Sequence, residues 1–294
     1  MRVWLLFLMS LLLFGANLVL SHLLSEHVRK GVSERFILPS RMYLTFVPRD
    51  FQYGVADLGF VNTLAFIGSS TEGGVVVIGR QKGLRIYEAL SAVTFYNPRY
   101  FDPYYVANAF LSWETGLYRE AVEILRWGIK HLDDWRLPFY TGFIYFYFLG
   151  DNLNGARYLE MASKHPTGKE YNLIPLLASR LYYEEGRLEV AILLLEEQLK
   201  VMKLENMKKA LRSRLETFRK ALLIKRAVEE FRRRYGRMPE GIGELEEKGL
   251  IPPGLRDHAG GKFYITADGK IRSEKVLFPV RRKLLEEGKI KVLP

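Results

Sequence analysis

The chain contains no cysteine. Disulfides, thiolate catalysis and zinc–thiolate sites are therefore excluded. Glutamine is also scarce, with three among 294 residues. Together with abundant Glu, Lys and Arg, this composition favours a heat-adapted source.

Histidine is the next scarce residue type, with five in the chain and none at a compact metal-ligand spacing. No glycine-rich loop ends in Lys-Ser or Lys-Thr, as a phosphate-binding loop would require. Asp257-His258 before Gly260-Gly261 is interpreted as a turn, with a small site as the alternative. We therefore predict no metal, no cofactor and no catalytic residue, and we expect a protein that is not an enzyme.

Long apolar runs are rare, and the one near the amino terminus is the exception. Residues 3–24 contain no acid and no Lys or Arg. A helix of this length covers roughly 33 Å, which is enough to cross a hydrocarbon core of about 30 Å. We expect a retained transmembrane helix over residues 1–25 rather than a cleaved signal peptide.

The orientation of this anchor has two interpretations. Four Lys or Arg follow the apolar run within about 20 residues and one precedes it, which by the positive-inside rule would keep the body in the cytoplasm. A short tail with a positive start favours export instead. We expect a single-pass inner-membrane protein with the bulk of the chain outside the cytoplasm.

A repeating step marks the middle of the chain. Gly116, Gly150 and Gly186 are 34 and 36 residues apart, and each separates two apolar runs at helical spacing. A period in this range is typical of stacked helical hairpins. The runs predict three hairpins: 101–115 with 117–132, 137–149 with 154–164, and 171–185 with 188–202. Residues 26–100 are predicted to form a helical cap or a degenerate first repeat.

Over residues 101–204 the chain resembles the tetratricopeptide repeat family. The resemblance lies in the turn glycines, in Ala121 and Ala191 at the tight contact between helices, in Tyr118 and Leu188 two residues after their glycines, and in Ala162 late in the second pair. The early Trp of the family is absent, and Gly128 and Gln198 replace its late small residue. The resemblance implies a non-enzymatic solenoid that binds proteins.

The resemblance also implies which side chains line a binding groove, because the family uses the first helix of each pair for this purpose. Carried over by register, the predicted partner-binding residues are Phe110, Trp113, Tyr140, Ile144, Tyr147, Arg180 and Tyr183. Aromatic and Arg side chains are common anchors of protein interfaces. The alternative is that these residues pack the core.

Positive charge is concentrated after the repeats. The net charge is +11, and residues 203–237 hold thirteen Lys or Arg against four Glu. Apolar residues at helical spacing predict one long basic helix over 205–237. Its anionic-surface candidates are Lys208, Lys209, Arg212, Arg219, Lys220, Arg226, Arg233 and Arg234. This face is either ordinary solvated surface, a contact for anionic lipid or an acidic protein, or a nucleic-acid contact. The last is disfavoured because few aromatic residues interleave the charges.

The last part of the chain changes character. Residues 238–276 are predicted to form a short helix, Ile242 to Lys248, followed by a β-hairpin whose turn contains Asp268-Gly269. This stretch resembles the distal end of the major pseudopilins of type II secretion and the tails of exported, membrane-anchored bacterial repeat proteins. Residues 277–294 are predicted to be a basic tail.

These observations predict a mainly α protein. They predict an N-terminal transmembrane helix, an α-hairpin solenoid, a long basic helix and a small C-terminal helix plus β-hairpin. The expected function is a membrane-anchored scaffold for protein partners, with the assembly of an envelope machine such as a pilus or secretion system implied by the resemblance. The alternative is an anionic-surface or nucleic-acid binder that uses residues 208–237.

Overall fold

The computed structural model describes residues 48–72, 75–76, 79–167 and 173–275. The predicted transmembrane helix, the first part of the predicted cap and the basic tail lie outside these residues. Within them, no helix is both long and apolar enough to cross a bilayer. The described chain is mainly helical, as predicted, with short antiparallel strand pairs. It divides between Leu132 and Asp133 into two compact units.

The described part of the N-terminal unit contains four α-helices: α1 Arg49–Ser69, α2 Arg80–Tyr96, α3 Phe101–Val106 and α4 Tyr118–His131. A π-helical segment, π1 Ala107–Glu114, continues α3. Two short strands, β1 Thr71–Glu72 and β2 Val75–Val76, pair antiparallel between α1 and α2. The predicted helix 101–115 is thus confirmed, with a π-helical second half that the apolar spacing did not indicate.

The helices of the N-terminal unit pack through one apolar face each. α1 packs on α2 and buries Phe60 and Phe66, while Ile86 and Leu90 of α2 are fully buried. The indole Nε1 of Trp127 donates to the carbonyl oxygen of Thr94 at 3.1 Å, which ties α4 to the end of α2. In the described part of the predicted cap, α1 and α2 are therefore helical, as expected.

Among its described residues, the C-terminal unit has six α-helices: α5 Arg136–Ile144, α6 Asn152–Lys164, α7 Leu173–Glu184, α8 Leu188–Val201, α9 Glu205–Tyr235 and α10 Ile242–Glu247. A second π-helical segment, π2 Tyr145–Leu149, continues α5. Strands β3 Phe263–Ile265 and β4 Ile271–Ser273 form an antiparallel hairpin in which Tyr264 pairs with Arg272. The predicted order of helices and hairpin is confirmed here.

The three repeat glycines end the first helix of each hairpin. Gly116, Gly150 and Gly186 have φ of 68°, 69° and 70°, a left-handed conformation that glycine adopts without a Cβ penalty. After Gly186, the amide of Arg187 donates to the carbonyl of Tyr182. After Gly116 and Gly150 the corresponding amide donates to a carbonyl six residues back instead of five. The additional residue belongs to the π-helical turn that precedes each of these glycines.

Small residues allow the paired helices to approach closely. Ala121, Ala156 and Ala191 are each 0% exposed, early in the second helix of their pairs. In the second pair, a Cβ placed on Gly142 would lie 2.9 Å from the carbonyl oxygen of Gly155. The backbones of α5 and α6 are therefore in direct contact at these two glycines.

The core of the C-terminal unit runs without interruption from the hairpins into the chain's last described part. Phe218 and Phe231 of α9 are fully buried, and they belong to one apolar cluster with Leu245, Phe263 and Ile271. The C-terminal module, defined as residues 238–275, therefore shares a core with α9 and the hairpins. The sequence pattern predicted the C-terminal module as a separate segment. Nothing in that pattern indicated that the module shares a core with α9.

Polar contacts fix the C-terminal module to the end of α7. The guanidinium of Arg272 donates to the carbonyl oxygens of Tyr183 and Glu184 and lies 5.6 Å from the centre of the Tyr183 ring. Lys270 Nζ lies 3.2 Å from a carboxylate oxygen of Glu185. Cations at the carboxyl end of α7 also complement the negative end of its helix dipole.

Candidate interaction surfaces

In the N-terminal unit, the predicted partner-binding residues lie on π1. Trp113 is 53% exposed, and Phe110 is half-buried. An exposed indole is costly to leave in water and is a common anchor of protein interfaces. Trp113 is therefore the strongest candidate contact residue in this unit.

Two predicted partner-binding residues of the C-terminal unit are buried, which corrects the interpretation of them as surface residues. Ile144 is 0% exposed and Tyr183 is 1% exposed. The Tyr183 ring stacks on Phe218 of α9 with centroids 4.7 Å apart, and the guanidinium of Arg272 also lies over this ring. Helix α9 and the C-terminal module cover the end of α7. The groove residues were assigned by their position within each repeat, and that position does not show which other elements pack on the repeat.

Arg180 is held within the fold. Its Nε donates to Glu184 Oε1 at 3.0 Å, and its side chain is 15% exposed. Arg214 of α9 lies on the same side and donates to the carbonyl oxygen of Leu176. Burial and the charge of Arg180 both lower the pKa of Arg214. The Arg214 bond connects α9 to α7, and the ion pair with Glu184 on its own helix leaves Arg180 little freedom to reach a partner.

Tyr140 and Tyr147 belong to a half-buried set of aromatic side chains on α5 and π2. Residues 135, 139, 143 and 147 follow one another at a spacing of four, which places them on one helix face. The ring centroids of Trp135 and Phe139 lie 5.9 Å apart, and those of Phe143 and Tyr147 lie 5.2 Å apart. We call these four residues the aromatic ladder. The sequence interpretation missed Phe139 and Phe143, although their spacing was visible.

Helix α1 also leaves one apolar face in solvent. Phe51, Leu58 and Val61 are 66%, 68% and 60% exposed, and their spacing of seven and three residues places them on one side of the helix. The opposite side packs on α2. The same helical period therefore produces a buried and an exposed apolar stripe on α1.

Helix α9 presents the basic candidates at its surface, with part of their charge already paired. Arg219 Nη2 lies 2.7 Å from Glu196 of α8, and Lys220 Nζ lies 2.6 Å from Glu216. Lys208 pairs with Glu205, and Arg233 and Arg234 both pair with Glu230. Ion pairs at such exposed positions add little to stability, because water and salt screen them. Lys209, Arg212 and Arg226 are exposed and form no ion pair within the described residues.

An open groove of about 840 Å³ lies between α8 and α9. We call it the α8–α9 groove. Leu199, Leu215 and Leu223 form its apolar surface, and Leu223 is 43% exposed. Its rim consists of Lys200, Arg212, Arg219 and Lys220, with the two carboxylates Glu196 and Glu216. The sequence pattern identified Arg212, Arg219 and Lys220 as surface cations, but it indicated neither Lys200 nor the groove.

The turn predicted at Asp257-His258 is closed by the Asp257 carboxylate. This side chain accepts hydrogen bonds from the amides of Ala259 and Gly261 at 2.7 and 2.8 Å and from the Ser273 hydroxyl. Burial alone would raise the pKa of Asp257, but these bonds outweigh it and hold the pKa below its ordinary value. The amide of His258 donates to Thr217 Oγ1 at 3.1 Å, which connects the turn to α9.

Among the described residues, no group of three or more His, Asp or Glu side chains is arranged to hold a metal ion. Comparison with protein families, with curated proteins and with solved structures gives no match to this chain.

Proposed function

We propose that this chain is a non-enzymatic scaffold that binds protein partners through side chains presented by its helical hairpins. The observation that carries the proposal is the exposure of Trp113, 53% in solvent at the end of a first helix. The half-buried aromatic ladder offers a second, partly open aromatic face in the C-terminal unit, although Trp135, Phe139 and Tyr147 also pack against its core. Trp and Tyr dominate the binding energy of many protein interfaces, since they bury large areas with few rotatable bonds.

The proposal places the scaffold at the cell envelope. Its support is the apolar run over residues 3–24, the likeness to tetratricopeptide repeats and the likeness of the C-terminal module to pseudopilins. The proposed partners are components of an envelope assembly machine. The C-terminal module stabilises α7 and α9 in this proposal, because Arg272 and Thr217 attach it to both helices.

Site-specific photo-crosslinking in the native cell tests the binding surface. A photoreactive amino acid at Trp113 or Tyr147 should give a discrete cross-linked protein. The same amino acid at Tyr105 (51% exposed) or Met161 (48% exposed) should not, since these controls are about as exposed as Trp113 and more exposed than Tyr147 but lie outside the predicted surface. Equal labelling at all four positions would contradict the proposal.

Substitution separates binding from folding. A variant in which Phe110, Trp113 and Tyr147 are replaced by Ala should lose the cross-linked partner and keep its helical circular dichroism. Loss of the helical signal would instead show that these side chains hold the core.

Reporter fusions at the carboxyl terminus, active only inside or only outside the cytoplasm, test the envelope location independently.

A second candidate function is binding of an anionic surface or nucleic acid by α9. The observation in its favour is that Lys209, Arg212 and Arg226 are exposed and have no ion pair within the described residues. Binding of this kind is dominated by charge and falls steeply with salt. Titration with anionic vesicles and with DNA at low and high salt tests it, and no binding at low salt would exclude it.

A further inference from the structure

We infer that the α8–α9 groove is a docking site for an acidic amphipathic helix of a partner protein. This surface is distinct from the aromatic residues of the proposed function, and its occupant is defined by its own chemistry. The groove combines an apolar surface with a charged rim, so the segment that fills it must have an apolar face and flanking charges of the opposite sign.

The apolar part of the groove fits aliphatic side chains. Leu199, Leu215 and Leu223 line it, and no aromatic residue is among its lining residues. Single-stranded nucleic acid is usually held by aromatic side chains on which its bases stack. A leucine surface without aromatic rings therefore favours the Leu, Ile or Val side chains of an amphipathic helix.

The length of the groove matches a short helix. Its lining on α9 extends from Arg212 to Leu223, which corresponds to roughly 17 Å, or about three helical turns. A helix laid into such a groove contacts it through residues at spacings of three and four. About three turns place three or four apolar side chains over the leucines.

The rim selects the charge of the occupant. Four cations face two carboxylates around the groove, and Arg212 and Lys200 form no ion pair within the described residues. Arg219 and Glu196 pair across the groove from α9 to α8 at 2.7 Å, with side chains 61% and 35% exposed. An incoming carboxylate can replace Glu196 as the partner of Arg219 and can pair with Arg212 and Lys200.

The same charge argument disfavours the chain's own C-terminal tail. Residues 276–294 contain five Lys or Arg and two Glu. A basic tail would bring positive charge to a positive rim. An acidic segment of another protein is therefore the occupant that the groove favours.

A labelled synthetic peptide tests the inference against the full chain in mild detergent. The probe is an amphipathic helix of about 15 residues, with Leu at spacings of three and four and Glu on both flanks. Two control peptides are used: one with Lys in place of every Glu, and one with the same composition in scrambled order. Saturable binding of the acidic probe alone supports the inference. Absence of binding, or equal binding of a control peptide, overturns it.

Matched variants locate the binding. Leu223→Asp changes the groove surface, and Leu193→Asp is its control because Leu193 is 59% exposed on α8 but does not line the groove. Arg212→Glu changes the rim, and Arg232→Glu is its control, since Arg232 is exposed on the same helix but does not line the groove. Both groove variants should weaken probe binding at least about tenfold, and both controls should leave it unchanged. Equal loss in groove and control variants would overturn the assignment.

Other occupants give different results in the same experiment. Tighter probe binding after removal of residues 276–294 would show that the chain's own tail fills the groove. A dimer that Leu223→Asp converts to a monomer would show a second copy there. Binding of anionic vesicles that depends on Leu223 would assign the groove to lipid. Each of these results overturns the inference and leaves the cross-linking test at Trp113 unaffected.

Discussion

Single side chains in this protein differ in how well the fold satisfies their polar atoms. Asp257 is 4% exposed and accepts three hydrogen bonds. Tyr183 is as deeply buried, but its hydroxyl has no hydrogen-bond partner within the described residues. Removing a satisfied group leaves its donors unpaired, whereas removing an unsatisfied group relieves a desolvation penalty.

Asp257→Asn is expected to lower the free energy of unfolding by about 2 kcal/mol at neutral pH. The Asp257 carboxylate accepts hydrogen bonds through both of its oxygens, whereas the side-chain amide of Asn has only one acceptor oxygen. The pKa of Asp257 is lowered in the fold. Its contribution is therefore present above the unfolded pKa near 3.9 and is lost as the pH falls through the lower folded value. Denaturant unfolding at about pH 7 and about pH 3 should show the difference between wild type and variant shrinking in acid.

The control for this change is Glu247→Gln, an exposed carboxylate on α10. Its stability should follow that of the wild type at both pH values. A difference for Asp257→Asn that stays constant or grows in acid would contradict the assigned role of the carboxylate.

Tyr183→Phe is expected to leave stability unchanged or to raise it by up to about 1 kcal/mol. The ring contacts with Phe218 and Arg272 remain, and only the unpaired hydroxyl is removed. Burial raises the pKa of Tyr183, so the hydroxyl is neutral at physiological pH. Thermal unfolding measures the change, and a clear loss of stability would show that the hydroxyl has a partner.

At the scale of elements, the hairpins depend on where backbones touch. Gly142 on α5 and Gly155 on α6 are buried against each other. A Cβ on Gly142 would also lie 2.9 Å from the backbone nitrogen of Leu159. Backbone atoms cannot move aside as a flexible side chain can, so this contact fixes the distance between the two helices.

Gly142→Ala is therefore expected to destabilise the C-terminal unit by about 1–3 kcal/mol through overpacking. Gly243→Ala is the matched control, since it lies in helix α10 with no atom within 4 Å of an added Cβ. The control should be neutral or slightly stabilising, because Ala has the higher helix propensity. Denaturant unfolding compares the two variants, and equal stability would show that α5 and α6 can separate without cost.

At the scale of the whole molecule, the C-terminal unit has one core from its hairpins to its last described strand. Deleting residues 238–294 removes Leu245, Phe263 and Ile271 from that core, as well as Arg272 from the end of α7. We expect the shortened chain to lose cooperative thermal unfolding and to bind a hydrophobic dye, because α7 and α9 would expose apolar surface.

Deleting residues 276–294 alone is the control, since it removes none of these described contacts. The control should keep the melting temperature of the full chain. An unchanged melting temperature for the longer deletion would show that the C-terminal module is dispensable to the fold.

Much of the local structure could be predicted from the sequence. Gly116, Gly150 and Gly186 marked the turns, since their positive φ disfavours other residues, and the apolar period marked α9. Of the apolar residues at helical spacing in α9, Leu211, Phe218 and Phe231 are buried, but Tyr235 is 47% exposed. The apolar spacing of α9 therefore continues to Tyr235, where no other element of the described chain buries the helix.

The π-helical segments and the contact residues were predicted less well. A π-helical turn adds one residue without changing the apolar composition, so π1 and π2 left no clear signal. Tyr183 and Trp113 occupy similar positions near the ends of first helices, yet Tyr183 is buried and Trp113 is exposed. The difference arises because α9 and strand β4 lie against the end of α7.

The sequence by itself determined the helical class, the turn positions and the uneven charge, because each depends on residues close together in the chain. Only the tertiary structure decided which faces remain open. It buried Tyr183 beneath Arg272, joined the C-terminal module to α9, and placed Leu199 beside Leu223 to make the α8–α9 groove. Such contacts join residues 24 to about 90 positions apart, and the periodicity of a single helix contains no information about the partner that covers it.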